Sequence, residues 1–161
     1  RDYPSWGYMI EKGATTIWEL WNGDTADPAM NSGNHVMLVG DLVIWFYETL
    51  AGIAPDPAQP GFKHIVMRPQ PVGDLAFVKA SHRSPYGLIR SEWSREDGAF
   101  DWEIEIPANT AATVHIPAAD AASVTEHRRP LARARGVTLL GTGNGTVTLR
   151  VGSGTYRFAT R

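Results

Sequence analysis

Hydrophobic residues follow two different periods along the chain, and the change falls near residue 53. Over residues 35–50, apolar side chains are frequent enough to cover nearly the whole circumference of the predicted helix. A helix that is apolar all round is buried among other helices. A shorter helix is predicted earlier, with Pro4 in its first turn and Gly13 at its end. Two helices cannot bury this surface alone, so we expect residues 1–53 to be a piece of a larger α-domain that exposes apolar surface here.

Beyond residue 62, apolar and polar residues alternate with the period of a β-strand. The alternating segments on either side of Asp97-Gly98 predict a hairpin, in which the glycine supplies a positive φ. A second turn is predicted at 84–87, where a proline occupies the first central position. The strands predicted from this pattern cover 75–83, 88–95, 100–106, 113–116, 137–140, 146–151 and 155–159. Many short strands with frequent turns predict an antiparallel β-sandwich.

The fold class expected from both patterns is an α+β fragment. Its helical part covers residues 1–53 and its sandwich covers residues 62–161. A segment rich in proline, 54–61, lies between them and is predicted to be an extended linker, because proline cannot continue a helix. The aromatic residues of the sandwich alternate in register with its inward face, so we predict that they form core: Trp93, Phe100 and Trp102.

Composition narrows the classes of function. The 161 residues carry a net charge of −2, which does not indicate electrostatic capture of nucleic acid or of an anionic membrane. The absence of cysteine excludes disulfides, thiolate metal sites and cysteine nucleophiles, and the longest apolar run is too short to span a bilayer. Four histidines lack any metal-ligand spacing, so we expect neither metal nor cofactor; they are His64, His82, His115 and His127. One basic cluster is interpreted as a solvated loop: Arg128, Arg129, Arg133 and Arg135.

The candidate chemistry lies between residues 13 and 35. Glu19 stands between Trp18 and Trp21, whose flat faces suit the C–H groups of a sugar. Hydrolysis of a glycoside needs two carboxyl groups, and Glu19 can supply one of them, either the acid or the base. His35 opens the apolar helix, where the helix dipole favours a neutral imidazole that can bond a sugar hydroxyl. Turn chemistry explains two nearby carboxylates, Asp24 and Asp27.

Ordered motifs along nearly the whole chain resemble the C-terminal part of bacterial α-L-rhamnosidases, glycoside hydrolase family seventy-eight. They include Tyr3-Pro4-Ser5-Trp6-Gly7-Tyr8, Trp18-Glu19-Leu20-Trp21 and Asn34-His35, followed by motifs at 62–71, 84–87, 91–93, 106–110 and 151–156. The resemblance implies the last helices of an (α/α)6 barrel followed by a C-terminal β-sandwich. It also implies removal of terminal L-rhamnose, with inversion, from a rhamnosylated small molecule or polysaccharide.

The same resemblance implies roles for individual residues. Glu19 matches the general base, His35 matches a histidine that contacts the sugar, and Trp21 and Trp6 match residues that line the pocket. Nothing here matches the family's general acid, which lies earlier in the barrel. We therefore expect this chain alone to be inactive and the acid to come from a missing N-terminal part of the same bacterial enzyme, cytoplasmic or secreted.

Two alternatives stay open at this point. A helical-barrel glycosidase can act on another sugar, because one fold supports many specificities. The sandwich can instead be a non-catalytic carbohydrate-binding or scaffold module.

Overall fold

The computed structural model describes residues 2–161, which form two compact units divided between Trp45 and Phe46. The first unit holds helix α1, Trp6–Glu11, and helix α2, Leu38–Trp45. Ser5 caps α1, since its hydroxyl accepts a hydrogen bond from the backbone N–H of Tyr8 at 3.0 Å. Gly13 follows the helix with φ of 86°, a conformation that glycine adopts without strain. The short first helix is therefore confirmed, but Pro4 precedes its cap Ser5 and does not lie in its first turn as predicted.

Helix α2 is shorter than the predicted 35–50. The backbone N–H of His35 donates to the carbonyl of Ile17 at 2.7 Å, and a tight turn then leads into the helix, so the helix begins only at Leu38. After Trp45 the chain makes a π-helical turn, Phe46–Leu50. No residue of α2 is buried, although its sequence is strongly apolar. The predicted exposed apolar surface is thus present, with Val43 44% and Ile44 54% exposed.

The second unit consists of that turn and two β-sheets. Its strands are β1 Ile53–Pro55, β2 His64–Met67, β3 Phe77–Ser84, β4 Gly87–Glu96, β5 Ala99–Ile106, β6 Ala111–Pro117, β7 Val124–Glu126, β8 Arg129–Pro130, β9 Val137–Gly143, β10 Thr146–Val151 and β11 Gly154–Thr160. One sheet has the order β1-β2-β6-β10-β9, and the other has the order β3-β4-β5-β11-β7-β8. Short one-turn 3-10 helices, Ala121–Ser123 and Leu131–Arg133, flank β7 and β8.

The core lies between the two sheets and follows the alternation seen in the sequence. The hairpin of β4 and β5 turns at Asp97 and Gly98, both with positive φ, as the sequence predicted. Side chains from both sheets form one buried cluster, and its largest members include Trp93, Trp102 and Phe158. The prediction that the sandwich aromatics are core residues is confirmed.

Two details of the sandwich differ from the prediction. The segment expected to be a linker, 54–61, begins inside the sheet, because Pro55 is the last residue of β1 and is paired in register with Ile65. Strand β1 lies at the edge of its sheet, where a proline without an N–H costs no ladder hydrogen bond. The sandwich is also not wholly antiparallel, since β2 and β6 pair in parallel.

Candidate active site

Two short backbone segments on either side of a loop hold two of the four predicted site residues, Glu19 and His35. The N–H of Glu19 donates to the carbonyl of Ser32 at 2.9 Å, and the N–H of His35 donates to the carbonyl of Ile17 at 2.7 Å. These bonds bring Glu19 and His35 side by side although sixteen positions separate them in the chain. Backbone hydrogen bonds, rather than helix geometry, therefore build this part of the site.

The Glu19 carboxylate is fixed through one of its two oxygens. Oε2 accepts a hydrogen bond from the backbone N–H of Ser32 at 3.0 Å. The same oxygen lies 3.8 Å from Nδ1 of His35, which is beyond hydrogen-bond distance. Oε1 accepts no hydrogen bond from residues 2–161, and the side chain is 43% exposed. The carboxylate is thus oriented while one oxygen remains available to a ligand or a solvent molecule.

The loop between the two segments is pinned by its own polar side chains. The amide oxygen of Asn31 accepts from the N–H of Leu20 at 3.1 Å. Asp27 accepts from the N–H of Ala29 at 2.9 Å, which confirms its interpretation as a turn residue. Asp24 has a different role, because it accepts a hydrogen bond from the Tyr8 hydroxyl at 3.2 Å and so ties the loop to α1. Burial and this hydrogen bond raise the pKa of the Tyr8 hydroxyl.

A cavity of about 560 Å³ adjoins Glu19. Its walls are mostly aromatic and aliphatic and consist of Trp6, Met9, Ile17, Trp18, Glu19, Trp21, Leu38, Asp41, Leu42 and Trp45. The rings of Trp6 and Trp21 lie 6.2 Å apart between centroids, with 46° between their planes. The structure therefore brings together three of the four predicted site residues around one cavity. The fourth, His35, approaches Glu19 without lining the cavity.

One wall of the cavity depends on a glycine. A Cβ atom at Gly23 would lie 2.6 Å from the indole ring of Trp18, a distance at which the ring or the loop has to move. Because only a residue without a side chain fits there, Gly23 lets the loop pack directly against the face of Trp18.

Sequence reasoning missed the contribution of α2 to this cavity. Asp41 and Trp45 line it together with Leu38 and Leu42. Their spacing of three and four residues places them on one face of a helix, which is the signal that could have found them. The all-round apolar character of the helix concealed that face.

Within the described part of the chain, no three residues of the usual ligand types are grouped so that they could hold a metal ion. No helix among residues 2–161 combines the length and the hydropathy that crossing a bilayer requires.

Comparison with known proteins agrees with the two-part fold. The family profile described as the bacterial alpha-L-rhamnosidase six-hairpin glycosidase domain matches residues 1–50, and the profile of the bacterial alpha-L-rhamnosidase C-terminal domain matches residues 52–130. An alpha-L-rhamnosidase of Streptomyces avermitilis is 37% identical over 98% of this chain. The chain belongs to the bacterial α-L-rhamnosidase family. The fold expected from the resemblance, the end of a helical barrel followed by a β-sandwich, is that of this family.

Other relatives and solved structures of the family give the same picture. An alpha-L-rhamnosidase of Formosa agariphila is 34% identical over 97% of the chain. The crystal structure of the Streptomyces avermitilis alpha-L-rhamnosidase complexed with L-rhamnose matches the whole chain, with a TM-score of 0.83 and 35% identity. The alpha-L-rhamnosidase structure from Dictyoglumus thermophilum matches 99% of the chain, with a TM-score of 0.82 and 37% identity. The chain spans only 15% of the Streptomyces enzyme and 17% of each of the other two.

Proposed function

We propose that the chain is the C-terminal portion of an inverting α-L-rhamnosidase, in which Glu19 is the general base. The observation that carries the proposal is the carboxylate itself. It is oriented by the Ser32 N–H, has one oxygen free of hydrogen bonds from the described residues, and lies at the edge of a cavity lined by tryptophans. Carboxylates beside aromatic faces suit sugar substrates, since the rings pack against C–H groups.

In the proposed reaction, Glu19 removes a proton from a water molecule that attacks the anomeric carbon of a terminal L-rhamnose. The bond from that carbon to the glycosidic oxygen breaks as the new bond forms. A carboxylic acid outside this chain donates its proton to the departing oxygen. Inverting enzymes leave room for the water by keeping the two carboxyl groups about 6.5–9.5 Å apart.

The other site residues bind the sugar in this proposal. Trp6 and Trp21 form an angled aromatic wall for the apolar face of rhamnose. His35 donates to or accepts from a sugar hydroxyl next to the attacked carbon, because its ring lies within 4 Å of the base. We do not assign Asp24 or Asp27 to catalysis, since both already accept hydrogen bonds that hold the loop.

We further propose that residues 1–50, which match the six-hairpin glycosidase profile, belong to the helical barrel, and that the rest of the barrel, in another part of the same enzyme, covers the exposed face of α2. Val43 and Ile44 are far more exposed than such residues are in a finished core. The 161-residue chain, lacking the acid, is then expected to release no rhamnose by itself.

The alternative of a sandwich that binds sugar through its aromatic residues loses its support. Trp93, Phe100 and Trp102 are at most 5% exposed, so none of them offers a stacking platform.

The test is an assay of the intact enzyme on para-nitrophenyl α-L-rhamnoside and on a panel of other aryl glycosides, with NMR detection of the first product. We expect release of rhamnose, appearing initially as the β-anomer. An initial α-anomer would show retention and contradict the role of Glu19 as base. Release of a different sugar, without rhamnose, would show that the enzyme is a glycosidase with another sugar specificity.

A further inference from the structure

A second cavity, of about 610 Å³, lies on the outer face of the sheet that contains β11. We call it the arginine pocket; its lining residues are Asp101, Thr125, His127, Arg128, Arg157, Ala159 and Arg161. The fold brings them together because outward positions of β11 alternate with buried ones, and because the N–H of His127 donates to the carbonyl of Arg157 at 2.8 Å. Only one member of the basic cluster noted in the sequence, Arg128, reaches this pocket.

The charge of the arginine pocket is not neutralised from within. Three arginine residues line it together with one acidic residue, Asp101, whose carboxylate lies 3.5 Å from the guanidinium of Arg161. Among residues 2–161, no carboxylate lies within 4 Å of the guanidinium of Arg128 or of Arg157. Glu103 is paired with Arg157 in the strand register but forms no ion pair with it.

The remaining acid near the pocket is already engaged. Glu126 is buried and its carboxylate contacts Nδ1 of His127. Arg128 and Arg157 therefore line the cavity as exposed residues, and neither forms an ion pair with a carboxylate of residues 2–161.

The turn that carries Arg128 adopts an unusual backbone for its sequence. His127 and Arg128 have φ of 46° and 64° between β7 and β8, and asparagine or glycine is the usual choice at such positions. A residue with a long side chain in this region costs free energy. A histidine and an arginine thus stand at the pocket in a backbone conformation, with positive φ, that favours glycine or asparagine.

We propose that the arginine pocket binds the anionic group of an acidic saccharide, either the carboxylate of a uronic acid or a sulfate ester. Both groups present planar or tetrahedral oxygens that match the forked N–H donors of guanidinium. The anion specificity follows from the charges of the pocket, whereas the assignment to a saccharide rests on the proposed function. The sandwich would then hold a charged part of a polymeric substrate through residues other than those assigned to hydrolysis.

The test is calorimetric titration of the full 161-residue chain with three oligosaccharides: an oligogalacturonate, a sulfated disaccharide and a neutral oligosaccharide of matched length. We expect saturable binding of at least one anionic ligand and none of the neutral one. The double variant Arg128→Ala/Arg157→Ala is expected to raise Kd at least about tenfold, since each lost charged hydrogen bond accounts for about that factor. The matched control is Arg150→Ala, which removes an exposed arginine from the other sheet and is expected to leave Kd unchanged.

Three results would overturn the proposal: no binding of either anionic ligand, equal binding of the neutral one, or an equal loss of affinity in Arg150→Ala. Circular dichroism melting of each variant shows that the fold is intact. The wild-type intact enzyme is assayed in parallel on a neutral aryl rhamnoside. Anionic binding without rhamnosidase activity would refute the proposed function alone, and activity without anionic binding would refute the arginine pocket alone.

Discussion

Ser91 is a polar residue in the centre of the sandwich, and its replacement gives the sharpest test of how the core is held together. Its side chain is fully buried. The hydroxyl donates to the carbonyl of Ala51 at 2.6 Å and accepts from Nε1 of Trp102 at 2.9 Å. It therefore links β4 and β5 to the chain segment that leaves the π-helical turn.

Ser91→Ala removes both hydrogen bonds without creating a large cavity. A buried polar group that loses its partner costs about 1–3 kcal/mol. Two such groups remain, the indole N–H of Trp102 and the carbonyl of Ala51. We expect the free energy of unfolding to fall by about 2–4 kcal/mol, and Tm to fall by about 5–15 °C for a chain of this size.

The assay is urea unfolding of the 161-residue chain followed by tryptophan fluorescence. The matched control is Ser94→Ala, which removes an exposed hydroxyl from the same strand. Trp102→Phe is then added to both backgrounds, and it is expected to cost less after Ser91→Ala because the indole has already lost its acceptor. If Ser91→Ala and Ser94→Ala destabilise the chain equally, within about 0.5 kcal/mol, the reasoning about the buried network is wrong.

Two further predictions concern the helical unit and the pH dependence of stability. Gly23→Ala places a Cβ atom against the Trp18 ring, so we expect overpacking to destabilise the chain by about 1–3 kcal/mol in urea unfolding, whereas Gly33→Ala, at a position with open space, changes little. Burial and the positive charge of Arg68 lower the pKa of His115 in the folded state. The unfolded chain therefore takes up the proton first as the pH falls below about 6.5, so this residue costs stability in acid and none above that pH. The urea midpoint of wild type is expected to fall more between pH 7.5 and pH 5 than that of His115→Gln, and an equal fall would contradict the lowered pKa.

The parts of the fold that sequence predicted well are those whose signal is local. Alternation over β4 and β5 and the Asp97-Gly98 turn specify a hairpin through neighbouring residues, and the structure has that hairpin. Strand β2 is only four residues long and pairs in parallel with β6, more than forty positions later. No local sequence pattern therefore predicts this pairing. The strands β7 and β8 have only three and two residues, too few for an alternating pattern to be recognised in the sequence.

The site was predictable as a set of residues but not as an arrangement. Tryptophans around Glu19 indicated a sugar site, and the cavity joins Glu19 to Trp6 and Trp21. Glu19 and His35 lie close together because of backbone hydrogen bonds to Ser32 and Ile17 across an irregular loop. The loop has no hydrophobic periodicity from which this arrangement could be predicted. The start of α2 was misplaced by three residues because apolar composition continues through the turn that precedes the helix.

The most direct test of the proposed mechanism is the kcat of Glu19→Gln in the intact enzyme on an aryl α-L-rhamnoside. Glutamine keeps the size of the side chain and can accept the Ser32 hydrogen bond, but it cannot remove a proton from water. We predict that kcat falls by about 10²–10⁴-fold, while rhamnose binding measured by titration persists. The control Glu96→Gln, at the end of β4 in the sandwich, is expected to keep its activity. A Glu19→Gln enzyme with near-wild-type kcat would contradict the assignment of Glu19 as the general base.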